Sequence, residues 1–485
     1  MALRKLASHT LIYGMSSILG RLINWGLTPV YLNHFTEHQN GMISDLYALT
    51  FYPLIVLTFG METSFFHFSH GKLHVDRAYT NSLTSVFALA SIFALVGALC
   101  YVPLAHALGY YGHEEYILIL IGIIWLDTVA ALPMAKLRYD ERARWFTSIS
   151  LSNIGLTIVL NVVFVVVFHF GVEFVLIANL VASVVRLLMA FYGNLPRSWK
   201  PDLEAWKPML HYGFFIMLAG LAGTINETFD RNLLPRLWPN GGVYKGVPHT
   251  GMEMNGIYGA NYKLGMFIAL VTQAFRYAAE PFFFKHADGE KSPELFAKIF
   301  HYFILACLSV FLIITSFSYE IVSFDFGGVR LFPPQYWVGL EVVPVILLAN
   351  ICLGAYINLS MWYKVTNRVR FGLFIAAIGA FLTILINFLG IPYWGYMACG
   401  YATLVCYASM CFLCYYFGKK YYPIPYRWKR ILAITVWILI FYYINHKLSY
   451  PFIEDNSRVV FLKLLLCMVG IGGIWYYDRK KPLFR

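Results

Sequence analysis

The sequence predicts an all-α integral membrane protein with about 14 transmembrane helices, arranged as two six-helix lobes related by a parallel pseudo-two-fold axis plus a C-terminal helix pair. Three observations carry this. Apolar stretches long enough to cross a bilayer recur from end to end. The segments between them alternate between rich and poor in Lys and Arg. Two stretches 199 residues apart read alike.

The spans, in order, cover residues 6–33, 41–68, 78–108, 115–137, 145–168, 173–195, 207–230, 256–284, 296–318, 341–364, 371–390, 392–417, 428–446 and 459–477. A hydrocarbon core of about 30 Å needs about 20 helical residues, so each suffices and the longer ones tilt or protrude. Charged residues are 13% of the chain and apolar ones 59%, which leaves little for a soluble domain. With the N-terminus inside, the segments facing the cytoplasm hold 26 of the 37 Lys and Arg, the opposite side holds six, and five lie within spans. The positive-inside rule therefore puts both termini in the cytoplasm. The formal net charge of +12 needs no nucleic-acid partner, because basic loops face anionic lipid head groups. The first residues run straight into a span without a small-residue cleavage site, so no signal peptide is expected to be removed.

Span 1 opens on Leu11-Ile-Tyr13-Gly14 and span 7 on Leu210-His-Tyr212-Gly213. Span 2 begins at Asn40-Gly41 and closes on Glu62-Thr-Ser-Phe-Phe; span 8 begins at Asn255-Gly256 and closes on Glu280-Pro-Phe-Phe-Phe. Two consecutive matches in order point to a six-helix duplication, and an even number of spans per copy makes the repeat parallel. The expected units are an N-lobe at 1–195, a cytoplasmic interfacial linker at 196–206, a C-lobe at 207–417 and a hairpin of spans 13 and 14 at 418–485. Two lobes that rock about a midplane site suit transport, and Pro29, Pro53, Pro133 and Pro344 within spans favour bending.

All eight cysteines lie in apolar spans, and Cys411-x-x-Cys414 reads as packing one helical turn apart rather than as a redox or metal pair. His67, His70 and His74 straddle a helix end and a turn beside Lys72 and Arg77, which would repel a divalent cation. No metal and no cofactor is expected.

Thr58-Phe-Gly-Met-Glu-Thr-Ser-Phe-Phe-His-Phe68 resembles the second span of polysaccharide-biosynthesis flippases in the multidrug/oligosaccharidyl-lipid/polysaccharide exporter superfamily. Ile225-Asn-Glu-Thr-Phe-Asp-Arg231, Gly256-Ile-Tyr-Gly-Ala-Asn-Tyr-Lys263, the segment from Gln273 to Phe284 and that from Ala349 to Lys364 are similar to the same family. The resemblance covers nearly the whole chain. It implies a flippase of the bacterial inner membrane that moves polyprenyl-diphosphate-linked oligosaccharide units for surface polysaccharides such as lipopolysaccharide O-antigen. Its implied partners are that glycan lipid, membrane lipids, a polysaccharide polymerase and glycosyltransferases. Lipid II flippases of the superfamily carry basic residues in both of their first two spans, whereas span 2 here has Asp45 and Glu62 and no Lys or Arg.

Charges inside a membrane cost about 2.5–3.5 kcal/mol on insertion scales, so each marks a partner or an aqueous cavity. Arg21 has two readings: a fork of donors for the lipid diphosphate, or a salt bridge to Glu62 or Asp127. Arg276 and Glu280 lie four residues apart on one helical face and suit an internal ion pair, while Arg276 and Lys263 are also candidates for lining the head-group cavity. Asn24, with Asn226 and Asn358, either meets sugar hydroxyls or bonds between helices. Asp127 and Arg186 either pair across spans 4 and 6, or Asp127 binds a coupling cation, H⁺ or Na⁺, with Glu62 next in line. Glu227 and Asp230, beside Arg231, suit a network that shuts the outer gate. An integral-membrane glycosyltransferase or polymerase is the first rival reading, but no nucleophile or metal motif accompanies the few outward carboxylates, so no enzyme is expected. A cation-coupled multidrug exporter of the same architecture is the second.

Overall fold

The structure, a computed structural model, describes residues 25–69, 73–196, 198–285, 292–325, 327–366, 368, 370–449 and 457–480. Among these residues, 12 helices are long and apolar enough to cross a membrane, and they coincide in order with spans 2–7 and 9–14. Span 8 is a 35-residue helix, Gly251–Lys285, long enough to cross but with Glu253, Lys263 and Arg276 along it. Most of span 1 lies outside the described residues; its last turns form Thr28–His34. The only extended pairing among the described residues is a short hairpin, Val243–Tyr244 against Val247–Pro248, and an isolated bridge between Asp325 and Arg330. The chain is thus an all-α, multi-pass membrane protein. Its outward faces are studded with large apolar side chains such as Leu99, Leu188, Phe412 and Phe461, as lipid contact requires.

The chain packs as two compact units, Met1–Asn232 and Leu233–Arg485. In the first, span 4 (Glu114–Tyr139) is central, with 67% of its apolar window buried against 17% for span 5. Span 2 opens on a capping box: Thr36 accepts from Gln39 N while the Gln39 side chain accepts from Thr36 N. Asn40 then donates to the carbonyls of Tyr31, Phe35 and Thr36, tying the turn after span 1 to the start of span 2. Span 5 ends in a π-helical run, Val162–Val167, a feature its hydropathy did not announce.

Proline does not mark where span 2 breaks. Pro53 sits inside the intact helix Glu37–Thr58, and the interruption comes at Phe59 (φ 50°) and Gly60 (φ 65°), before Met61–Ser69 resumes. The cause is tertiary. Gly60 meets Gly213 of span 7 backbone to backbone, so a Cβ on either would run into the other helix's main chain. Around this crossing Met61, Phe65, Leu83, Leu132 and Met209 close into one buried cluster.

The linker before span 7 is docked on the start of span 3 (Val75–Leu99). Asn81 bonds Asp202 twice, donating to its carbonyl at 3.1 Å and accepting from its N–H at 2.7 Å. Trp206 donates to Ser85 at 2.7 Å, and the Asp202 carboxylate accepts from the first free N–H groups of Leu203–Leu237.

In the second unit, span 8 also opens on a reciprocal cap, Thr250 with Glu253. Span 10 runs from a 3-10 turn, Pro334–Val342, into Val343–Leu359, with Pro344 in the first helical turn, where its missing N–H costs nothing. Gly400 of span 12 (Tyr396–Tyr421) admits Val342 and Val345, and Gly354 admits Phe303 of span 9 (Ser292–Ser316). The terminal hairpin, Trp428–Ser449 and Ser457–Lys480, is tied to span 9 near both of its ends. Lys463 pairs with Glu320 just past one end of span 9; near the other, Asp478 accepts from Arg430 at 2.7 Å and lies 2.8 Å from His301 Nε2.

The crossing of spans 2 and 7 predicts opposite signs for two glycines on one helix. Gly213→Ala should lower the thermal unfolding temperature in detergent, by the equivalent of about 1–3 kcal/mol of overpacking. Gly223→Ala, at a position with nothing within 4 Å, should raise it slightly through helix propensity.

Candidate functional site

Three groups of polar contacts in the first unit bear on the predicted residues. The first joins spans 2 and 7. Asp45 is fully buried, and Tyr110 donates to its Oδ2 at 2.7 Å. Asn232 Nδ2 donates to Asp45 Oδ1 at 2.6 Å and to its carbonyl oxygen at 3.0 Å. Tyr110 reaches in because the chain turns at Gly109 (φ 86°) after the helix Tyr101–Leu108. Two turns on, the Tyr52 hydroxyl lies 3.1 Å from that of Thr228, and its ring meets Phe229 edge-on. Asp230 is buried in the same stretch of span 7, with its carboxylate accepting from Arg231 N at 2.8 Å. Glu227 is exposed.

The second group ties the short end of span 2 to span 4. Arg138 donates to Glu62 and lies over the rings of Phe66 and Phe146. The third joins spans 4 and 6 (Val172–Phe191): Arg186 Nη1 is 3.3 Å from Asp127 Oδ1, with both side chains about a quarter to a third exposed, at 30% and 26%. So each carboxylate expected as a partner for Arg21 holds a different guanidinium. Arg21 and Asn24 themselves lie outside the described residues.

The structure does not bring all the predicted residues together. Lys263 is half-buried in span 8 and Arg276 is exposed further along the same helix; the side chain of Glu280 is outside the described set. Asn358 donates to Gly354 O at 3.0 Å, so its amide hydrogen is used within its own helix. His67 stacks on Tyr212, rings 4.5 Å apart, and His74 caps span 3 by accepting from Asp76 N. Among the described residues no group of three or more His, Cys, Asp or Glu could hold a metal ion. Cys411 donates to the Cys352 carbonyl at 2.9 Å and Cys414 is buried, so the C-x-x-C packs.

Sequence reasoning passed over two features. Asp45 was noted only as a departure from a family pattern, although a carboxylate in an apolar span is itself a signal. The loop between spans 7 and 8 also closes on a carboxylate. Glu341 accepts from Tyr244 and Lys245 of the β-hairpin, and from Tyr396 at 2.9 Å. Burial, helped by the bond to Glu341, pushes the Tyr244 phenol up from its ordinary value.

Residues 6–286 match the family model described as "Polysaccharide biosynthesis protein". The chain belongs to that family. No curated protein matches it. Among solved structures it is similar to a lipid II flippase, MurJ, in an inward closed conformation, with a TM-score of 0.75, 12% identity, and coverage of 97% of this chain and 100% of that one. It is also similar to an inward-facing multidrug resistance MATE transporter of the MOP superfamily, with a TM-score of 0.66, 14% identity, and coverage of 85% and 95%. A MOP superfamily transporter from Pyrococcus furiosus follows with a TM-score of 0.56, 13% identity, and coverage of 85% and 95%. At these identities the likeness establishes the fold: that of MOP transporters.

The Asp127–Arg186 pair sets up a double-mutant cycle. Asp127→Asn and Arg186→Gln should each destabilise by about 1–3 kcal/mol, between the limits for exposed and buried pairs. The double variant should recover most of that loss, read as unfolding temperature; simple additivity would show that the two groups do not depend on each other.

Proposed function

We propose that this chain is a flippase that carries polyprenyl-diphosphate-linked oligosaccharide units across the bacterial inner membrane by alternating access, supplying surface polysaccharide synthesis. The observation that carries the reading is membership of the polysaccharide-biosynthesis family over residues 6–286, joined to a fold like that of a lipid II flippase over 97% of this chain. The intramembrane chemistry supports it. A head group that bears a diphosphate and sugars needs donors at membrane depth, while its polyprenyl tail stays in lipid. Asp127 and Glu62 each hold a guanidinium of their own unit. Arg21, Asn24, Lys263 and Arg276 are the proposed head-group donors. Energy from H⁺ or Na⁺ would enter at Asp127 or Glu62, where the cation competes with the paired Arg, and Glu227 and Asp230 would act at the gate. By the distribution of Lys and Arg, the Asp45 end of span 2 faces outward and both termini face the cytoplasm.

The multidrug exporters share the fold and are the second reading. The family match, which is to polysaccharide biosynthesis, supports the first reading.

The test is in cells. Arg21→Ala should abolish surface glycan at unchanged protein level, and Arg21→Lys should restore it only in part, because an ammonium lacks the fork that grips two phosphate oxygens. Full glycan export by Arg21→Ala would remove Arg21 from the binding role.

A further inference from the structure

Spans 2 and 7 touch at three levels, and the contacts differ in kind. At one end Asp45 and Tyr52 bond Asn232 and Thr228 through side chains. In the middle the backbones meet at Gly60 and Gly213. At the other end Ser64 donates to the Met209 carbonyl at 3.0 Å and His67 stacks on Tyr212. The helix of span 2 is interrupted at that middle point, by two consecutive residues with positive φ.

We infer that Asp45 is the latch of the outer half of this seam, and that the interruption at Phe59–Gly60 is the hinge on which that half opens. The inference rests on the alternating-access reading and names the residue that holds one end shut. The inner segment of span 2, Met61–Ser69, is anchored by Met61 and Phe65, both fully buried in the cluster with Met209. A bend at Phe59–Gly60 lets Glu37–Thr58 part from span 7 without disturbing that core. Tyr110 holds the other carboxylate oxygen, Oδ2, so the acceptor stays aimed when Asn232 leaves Oδ1.

The chemistry also gives the latch a direction. Water entering the gap replaces a hydrogen bond to the carboxylate at small cost. Lipid entering the gap replaces nothing, and a carboxylate bared to hydrocarbon is expensive. Asp45 therefore permits opening to an aqueous cavity and resists splaying into the bilayer. As a positioning residue it acts on span 7 through Asn232 and needs no contact with cargo.

The test uses the full-length protein in lipid nanodiscs, with the exposed Cys100 replaced by Ala. A cysteine at Ile55, which packs against Gly220 between latch and hinge, reports opening by its labelling rate with a charged maleimide. A second at Leu210, beside Met209, reports the inner end. Asn232→Leu keeps the branching at Cγ and removes both bonds to Asp45, and Asp45→Asn weakens the side-chain bond while keeping one acceptor oxygen. Labelling at position 55 should rise about fivefold or more in Asn232→Leu, and by less in Asp45→Asn, with position 210 unchanged. Unchanged labelling at 55 in both variants, or an equal rise at 55 and 210, would overturn the latch. Labelling needs no substrate, so a chain that carried some other cargo would leave this result standing.

Discussion

An ionised side chain in hydrocarbon has no water to turn to, so it must find a partner of opposite sign, a set of donors, or a wet cavity. This constraint organises the protein more than any propensity does. Asp45 is met by Tyr110 and Asn232, Glu62 by Arg138, Asp127 by Arg186, Lys463 by Glu320, and Asp478 by Arg430 and His301. Each ties separate elements of the chain together, so satisfying charge and fixing helix positions are one event. Hydrophobicity cannot do this between helices, because lipid tails are as apolar as the helix faces they would replace.

The second ingredient is small residues at close crossings. Gly60 with Gly213, Gly354 under Phe303 and Gly400 under two valines let backbones and large side chains approach where a Cβ would hold them off. Polar bonds set which helices meet, and glycines set how near. At the contact of spans 2 and 7 both act together, at different heights along one pair of helices.

Much of the fold was legible because membrane spans announce themselves through length and hydropathy alone. Spans 2–7 and 9–14 appear as helices in the predicted order, with ends that differ from the expected ones by up to about nine residues. The Asp127–Arg186 contact could be anticipated since both residues sit mid-span in neighbouring helices. What could not be read depended on tertiary geometry. Span 2 bends at Phe59–Gly60 and not at Pro53, because the bend answers to Gly213 on another helix. Arg138 looked like one of several loop cations, and only the fold returns it to Glu62. Asn358 suited either a sugar contact or a bond between helices, yet its amide bonds one turn back along its own helix. Asp45 was visible but its donors were not, since Tyr110 and Asn232 lie 65 and 187 residues away.

The measurement that bears most directly on the account is transbilayer movement in a defined system. Purified protein would be reconstituted into liposomes carrying a fluorescent polyprenyl-diphosphate oligosaccharide, and the fraction reached by an external glycosidase followed over time. The account predicts that protein speeds inside-to-outside equilibration at least about tenfold over empty liposomes, equivalent to about 1.4 kcal/mol or more off the barrier. Equilibration at the protein-free rate, in vesicles where the same protein accelerates uptake of a lipophilic drug cation, would contradict it.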